Sequence, residues 1–160
     1  MRREPCRKLD QPASVRLLYT RGVVNLSAEE SAALTERLRT ESVAWITTVT
    51  ADGQPQSSPV WFLWDGSKFL VYAQPRSWKV RNIRANPMVS LHLNSDREGG
   101  QVATFEGSAR ISEGHPRAHE ADTYLAKYRQ GIAGIGMTPE QMGAEYSTAL
   151  RITPTRIRVY

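Results

Sequence analysis

A short segment near the middle of the chain combines a hydroxyl group, two cations and a carboxamide, the groups that proteins use to hold phosphate. It contains Arg76, Ser77, Lys79 and Asn82 at the start of a helix predicted over 77–85. Because the first turn of a helix has free N–H groups and a partial positive charge, anions bind there readily. Ser77 is predicted to cap this helix with its hydroxyl group, and Lys79 lies where the helix dipole disfavours a cation unless an anion is bound. The spacing alone is equally typical of a capped surface helix with solvated basic residues.

The surrounding pattern places this segment in a small antiparallel sheet with helices between and after its strands. Ser27 and Glu30 form a capping box, and Asp52-Gly53 and Asp65-Gly66 form turns between strands. The pattern predicts helices at 27–40, 77–85, 116–130 and 139–146, and strands at 43–50, 55–64, 68–73, 88–94, 101–111 and 155–160. About six antiparallel strands with interspersed helices indicate an α+β barrel.

The positive charge of the chain is concentrated near its beginning. The 160 residues carry a net charge of +5, and residues 1–24 alone hold six basic and two acidic side chains. The rest of the chain holds 15 basic and 14 acidic side chains, so we expect no nucleic-acid binding by this part. We predict a flexible basic leader over 1–24 and one folded domain over 25–160.

Composition and cysteine content limit the remaining classes of protein. Hydrophobic residues make up 40% of the chain, and no apolar run approaches the roughly 20 residues that a membrane span needs. Cys6 is the single cysteine, which rules out an internal disulfide and a cysteine metal cluster and fits a reducing cytoplasm. We therefore expect a cytoplasmic protein with no membrane segment and no metal site.

The order of the motifs resembles that of a known family. The likeness rests on Asp52-Gly53, Pro59-Val60-Trp61-Phe62, Ser77, Lys79, Asn82 and Pro87-x-Val89, and on the later segments 127–142 and 153–160. Together these motifs resemble the pyridoxamine 5′-phosphate oxidase-like split β-barrel superfamily, and more narrowly its actinobacterial branch that uses flavin or the deazaflavin coenzyme F420. The resemblance covers about 27–160 and implies an antiparallel six-stranded split β-barrel of the FMN-binding type with flanking helices.

The resemblance also implies which residues bind a cofactor. In such proteins two chains form a homodimer, and the cofactor sites lie in the grooves between the two barrels. The resemblance assigns the ring system to Val60, Trp61 and Phe62, the ring and linker neighbourhood to Ala73 and Gln74, and the phosphate-bearing tail to Arg76, Ser77, Trp78, Lys79 and Asn82. Lysine and arginine suit the last role because they donate charge-assisted hydrogen bonds to phosphate. No catalytic residue is assigned at this level.

The activity that the resemblance implies is hydride transfer between F420 and a small organic substrate, by an F420-dependent oxidoreductase. The chain lacks the dense set of phosphate-binding arginines that the family's FMN oxidases carry on their strands, so oxidation of pyridoxal compounds is not expected. Three alternatives stay open: an FMN-dependent oxidase or reductase, a non-catalytic carrier of flavin or haem, and a nucleic-acid binder that uses the basic leader.

The histidines are interpreted as structural. His115, His119 and Glu120 lie near a predicted helix start, but no third or fourth metal ligand accompanies them, so we expect a surface helix. His92 alternates onto the polar face of a strand. It is interpreted as an exposed or interface histidine, with general acid catalysis beside the cofactor as the alternative.

The glycines and tyrosines of the later helices are interpreted in the same way. Gly131, Gly134 and Gly136 follow no strand, so they do not form a dinucleotide fingerprint and are interpreted as a flexible connection between helices. Tyr124 and Tyr128 lie four residues apart on one helical face. They are interpreted as packing residues, with a place in the substrate pocket as the alternative.

Overall fold

The computed structural model describes residues 26–159 and has an α+β fold. Within these residues the α-helices are α1 (Ala28–Thr40), α2 (Trp78–Ala85), α3 (Asp122–Gly134) and α4 (Pro139–Glu145). The strands are β1 (Val43–Val49), β2 (Pro55–Trp61), β3 (Leu63–Trp64), β4 (Phe69–Ala73), β5 (Met88–Leu93), β6 (Ala103–Ile111) and β7 (Thr148–Val159). A short 3-10 helix, Ala118–Glu120, precedes α3.

The strands form one strongly curled antiparallel sheet, and the predicted split-barrel fold is confirmed. The strand order is β2-β1-β5-β6-β7-β4-β3, so β2 and β3 lie at opposite edges of the sheet although one residue separates them in the chain. That residue is Phe62. The chain therefore passes from one edge of the sheet to the other at Phe62.

The strand predicted over 55–64 is two strands in the structure, and the sheet has one strand more than predicted. The interruption at Phe62 has a local cause, since both of its backbone polar groups bond to α3 rather than to a neighbouring strand. Its N–H group donates to the Tyr128 hydroxyl at 2.8 Å, and its carbonyl accepts from Tyr128 at 2.7 Å and from the Lys127 ammonium at 3.1 Å. The sequence pattern could not show this, because the bonding partners lie more than sixty residues away.

The sheet is covered on both faces at β4. Phe69 and Val71 belong to the main hydrophobic core, which lies inside the curl of the sheet and includes α1 and α2. Leu70 and Tyr72 point the other way, into a second cluster formed with α3 and α4. All five residues of β4 are therefore buried, and its end is fixed between two packed layers.

Two predicted elements have different limits in the structure. The helix predicted over 116–130 is instead the 3-10 turn followed by α3, which begins at Asp122 and extends to Gly134. The final strand, predicted over 155–160, is only the end of β7, which begins at Thr148. Pro154 of β7 lies opposite Gly107 of β6, where the register of the two strands shifts between Glu106 and Gly107. The strand continues beyond Pro154 because the proline lies at this irregularity.

Three other predictions concern the start of the chain, membrane segments and metal sites. The basic leader over 1–24 lies outside the described residues. Among residues 26–159, no helix is both long and apolar enough to cross a membrane. The same part of the chain contains no group of three histidine, cysteine, aspartate or glutamate side chains that could hold a metal ion.

Candidate functional site

A cavity of about 340 Å³ lies where the ends of β2 and β4 meet α2, α3 and α4. Six of the ten residues proposed for cofactor binding line it, which are Val60, Trp61, Ala73, Gln74, Ser77 and Lys79. Segments far apart in the chain thus form one site, because the β2 edge curls towards β4 and the chain turns from β4 directly into α2. Its volume is at the lower end of the range for small-molecule sites, which suits a planar ring system better than a whole dinucleotide.

The other four proposed residues lie outside the cavity wall. Phe62 is fully buried in the main core, and its backbone polar groups are already bonded to α3. Asn82 is also buried, and its amide donates to the Thr48 hydroxyl at 3.0 Å and to the Gln56 side chain at 2.9 Å. Asn82 therefore fastens α2 to β1 and β2. Arg76 is exposed and Trp78 is half-buried beside the start of α2.

The start of α2 differs from the sequence prediction in one respect that matters for binding. Ser77 occupies the cap position, but its side chain makes no capping hydrogen bond. The hydroxyl instead donates to the Gln74 carbonyl at 2.8 Å, so the prediction that Ser77 caps the helix is wrong. The Ser77 hydroxyl therefore accepts no hydrogen bond from the first backbone N–H groups of α2. These groups carry the positive end of the helix dipole, and this end lies beside the cavity.

Lys79 adds a cation to this end of the cavity. It is half-buried, and burial lowers its pKa below the ordinary lysine value. Its ammonium group lies 5.2 Å from the centre of the Trp78 ring, and no carboxylate among residues 26–159 forms an ion pair with it. An amine in this position gains a favourable partner when an anion binds.

Trp61 provides a flat aromatic wall. Its ring stacks on Tyr128 with the ring centres 4.8 Å apart and the planes within 3° of parallel. Gly131 permits this packing, since a β-carbon at that position would come within 3.1 Å of the indole ring. Gly131 and Gly134 lie inside α3, so the predicted flexible connection is wrong for these two residues, whereas Gly136 follows the helix with φ at +75°.

The structure adds residues to the site that were not proposed for it. These are Val43, Pro59, Tyr72, Ile135, Met142 and Tyr146, together with Tyr124, for which a place in the pocket was the alternative interpretation. A usable signal existed for Pro59 and Tyr72, because each directly precedes a proposed residue in a strand. The contributions of α3 and α4 carried no such signal, because they depend on how these helices pack over the sheet.

The buried tyrosines of the wall keep their protons. Burial raises the pKa of Tyr72 to about 12, with a smaller contribution from Glu120. Burial raises the pKa of Tyr124 still further, and neighbouring tyrosines add to the effect. Both side chains are therefore neutral hydrogen-bonding groups throughout the physiological pH range.

The histidines lie outside this cavity wall. His92 stacks on Trp45 with nearly parallel planes and its ring centre 6.4 Å away, and it is not one of the residues that line the cavity. His115 lies 3.4 Å from the Tyr72 hydroxyl, and His119 packs against Gly143 of α4. General acid catalysis by His92 therefore has no support from its position.

A family model described as pyridoxamine 5′-phosphate oxidase matches residues 31–160, which is most of the chain. The chain belongs to this family. The match includes most of α1, every later element and all residues that line the cavity, so the site described above is built from the family's own part of the chain.

Solved structures of other proteins have a similar fold. The conserved hypothetical protein Rv2991 from Mycobacterium tuberculosis is 25% identical, with a TM-score of 0.63 over 79% of this chain and 81% of that one. An F420 reductase is 22% identical, with a TM-score of 0.56 over 77% and 94% of the two chains. The heme storage protein HutZ from Vibrio cholerae is 19% identical, with a TM-score of 0.58 over 79% and 92%. The last two likenesses show the fold alone.

Proposed function

We propose that this protein is an oxidoreductase that binds the deazaflavin F420 in the cavity between β2, β4 and the α3–α4 pair and transfers hydride to or from a small organic substrate. The proposal rests on one observation. The cavity combines a flat, mostly apolar wall with the uncapped start of α2 and the Lys79 ammonium group. A planar ring with a phosphate-bearing tail has the same two parts. The F420 reductase among the structural neighbours has the same fold, which supports this choice of cofactor class.

The residues present suit the two parts of such a cofactor. Val60, Trp61 and Ala73 offer apolar and aromatic surface to a ring, and this surface excludes water from one side of it. Lys79 and the free N–H groups at the start of α2 would hold the phosphate, with Arg76 exposed nearby. When bound, the deazaflavin supplies the hydride chemistry, and the protein supplies position and electrostatics.

FMN is the alternative cofactor, and a non-catalytic carrier is the alternative function. FMN also joins a planar ring to a phosphate, so the cavity and the α2 start support it by the same argument. A haem-binding role has less support, since no histidine of the described residues lines the cavity, although a heme storage protein has the same fold.

We also propose that the protein acts as a homodimer. Ile135, at the end of α3, lines the cavity and is 54% exposed, so its apolar side chain is open to a partner. A second copy that covers this side chain would complete the wall around the cofactor and substrate.

The proposed phosphate site can be tested with a Lys79→Ala variant in fluorescence titrations with F420 and with FMN. We expect the dissociation constant to rise about tenfold or more, because a charge-assisted hydrogen bond to phosphate is lost. Arg110→Ala is the matched control, because it also removes one positive charge but from an exposed position on β6 that is not part of the cavity wall. Equal affinities of the wild type and the Lys79 variant for both cofactors would show that the phosphate site is wrong.

A further inference from the structure

A hydrogen bond between two side chains joins the end of β4 to the end of α4 beside the cavity. The Gln74 amide nitrogen Nε2 donates to the Glu145 carboxylate at 2.5 Å, across 71 positions of the chain. Gln74 lines the cavity, whereas Glu145 is not one of the residues of its wall. Glu145 forms no ion pair with any residue of the described part of the chain, so its carboxylate is not held by another charged group there.

The backbone is held in place on both sides of this hydrogen bond. Gln74 directly follows the buried strand β4, and its carbonyl accepts from the Ser77 hydroxyl at 2.8 Å and from the Ser77 N–H group at 3.0 Å. On the other side, α4 packs closely on the 3-10 turn, since a β-carbon on Gly143 would clash with the His119 ring. Backbone contacts therefore bring the two side chains together.

The carboxylate determines which way the Gln74 amide faces. A carboxylate ion accepts hydrogen bonds and has no proton to donate, so the NH2 group of the amide, rather than its oxygen, is directed towards Glu145. Among residues 26–159, no group donates to the amide oxygen Oε1, and the second amide N–H also has no acceptor. Because Gln74 is exposed and lines the cavity, a bound molecule can reach these two groups.

An amide with a free oxygen and a free N–H group matches one edge of the proposed cofactors. The rings of F420 and FMN both carry a single N–H group, at ring nitrogen N3, between two carbonyl groups. This N–H can donate to the Gln74 oxygen, as ring and exocyclic groups of nucleobases pair with glutamine amides. A reversed amide would turn its NH2 group towards the ring N–H, and two donors that face each other would weaken binding.

We propose that Glu145 orients the Gln74 amide so that its oxygen accepts a hydrogen bond from the ring N–H of the cofactor in this cavity. This inference rests on the proposed function. Gln74 is in this account the residue that contacts the ring, and Glu145 is a positioning residue that acts through it. Together they select for rings with an unsubstituted N–H group, whichever of F420 and FMN is bound.

The test compares F420 and FMN with their derivatives methylated at N3, in fluorescence titrations of the wild type and two variants. The wild type should bind the unmethylated cofactor about threefold to tenfold more tightly, because methylation removes one hydrogen bond. Gln74→Met keeps a side chain of similar length without its polar end, so this preference should disappear. Glu145→Ala should also abolish the preference, because the Gln74 amide is then free to turn.

Glu140→Ala is the matched control, since it also removes a carboxylate from α4 but one that is exposed and not bonded to Gln74. It should keep the wild-type preference, which separates the orientation of Gln74 from the stability of α4. A wild type without a preference, or a preference that persists in Gln74→Met or in Glu145→Ala, would overturn the inference while leaving the proposed function intact. A wild-type protein that binds neither F420 nor FMN would overturn both.

Discussion

Asp65 is a single side chain that fixes the turn leading into β4, the strand whose end forms part of the cavity. One carboxylate oxygen accepts from the backbone N–H groups of Ser67 and Lys68 at 2.9 Å and 2.7 Å. The other accepts from the Arg151 guanidinium at 2.6 Å, which ties the turn to β7. Burial alone would raise the pKa of this carboxyl, but these hydrogen bonds outweigh it and lower the pKa to about 2.

The lowered pKa of Asp65 predicts a loss of stability in acid. The folded-state pKa lies below the ordinary aspartate value of 3.8, so the stabilisation is present above pH 4 and is lost as the pH falls from about 4 to about 2. At pH 7, Asp65→Asn should reduce the free energy of unfolding by about 1 kcal/mol. This value is smaller than the pKa change alone would give, because the Asp65 side chain is 41% exposed and solvent screens its charge. Urea unfolding at several pH values measures this difference.

The control for this experiment is Glu98→Gln, an exposed carboxylate without an ion pair among the described residues. Its free energy of unfolding should differ little from that of the wild type at any pH. A deficit of Asp65→Asn that persists at pH 2 would show that the carboxylate charge is not the source. The sequence predicted the Asp65-Gly66 turn, but the contact with Arg151 spans 86 positions of the chain and has no local signal.

At the scale of elements, the register between β6 and β7 depends on Gly107. The pairing shifts between Glu106 and Gly107, and the backbone of β7 comes so close there that a β-carbon on Gly107 would lie 2.2 Å from the Thr153 carbonyl oxygen. A backbone atom cannot move aside as a flexible side chain can. The glycine is therefore required by close approach of two strands rather than by an unusual φ angle.

Substitution of Gly107 should accordingly be costly. Gly107→Ala should lower the free energy of unfolding by about 1–3 kcal/mol because the two strands must separate to admit the methyl group. Gly134→Ala is the matched control, since no atom lies within 4 Å of its added β-carbon and alanine favours helix formation. Thermal unfolding compares the two variants, and equal midpoints would contradict the proposed close approach.

The elements show where sequence patterns were sufficient and where they were not. The capping box of α1 was predicted from Ser27 and Glu30, and both α1 and α4 begin within one residue of their predicted starts. Asn82 was assigned to phosphate because of its place in the motif. Its buried bonds to Thr48 and Gln56 show a structural role, which only the packing of α2 against β1 and β2 could show.

At the scale of the whole molecule, the curled sheet explains how one cavity collects residues from distant segments. In the strand order, β2 is one edge strand and β4 lies next to the opposite edge strand. Trp61 of β2 and Ala73 of β4 nevertheless line the same cavity. Resemblance to a family predicted Val60, Trp61 and Ala73 for cofactor binding from a linear motif, and these residues line the cavity. It could not predict the covering by α3 and α4, which depends on the aromatic packing of Trp61 with Tyr128.

The central claim is that this cavity holds a deazaflavin ring with its phosphate at the start of α2. A crystal structure of the protein with F420 bound tests it most directly. We expect the ring against Trp61, Val60 and Ala73, the phosphate within hydrogen-bonding distance of Lys79, and a second copy of the chain over Ile135. Electron density for F420 at any other place, or a protein that does not bind F420 at saturating concentration, would contradict the claim.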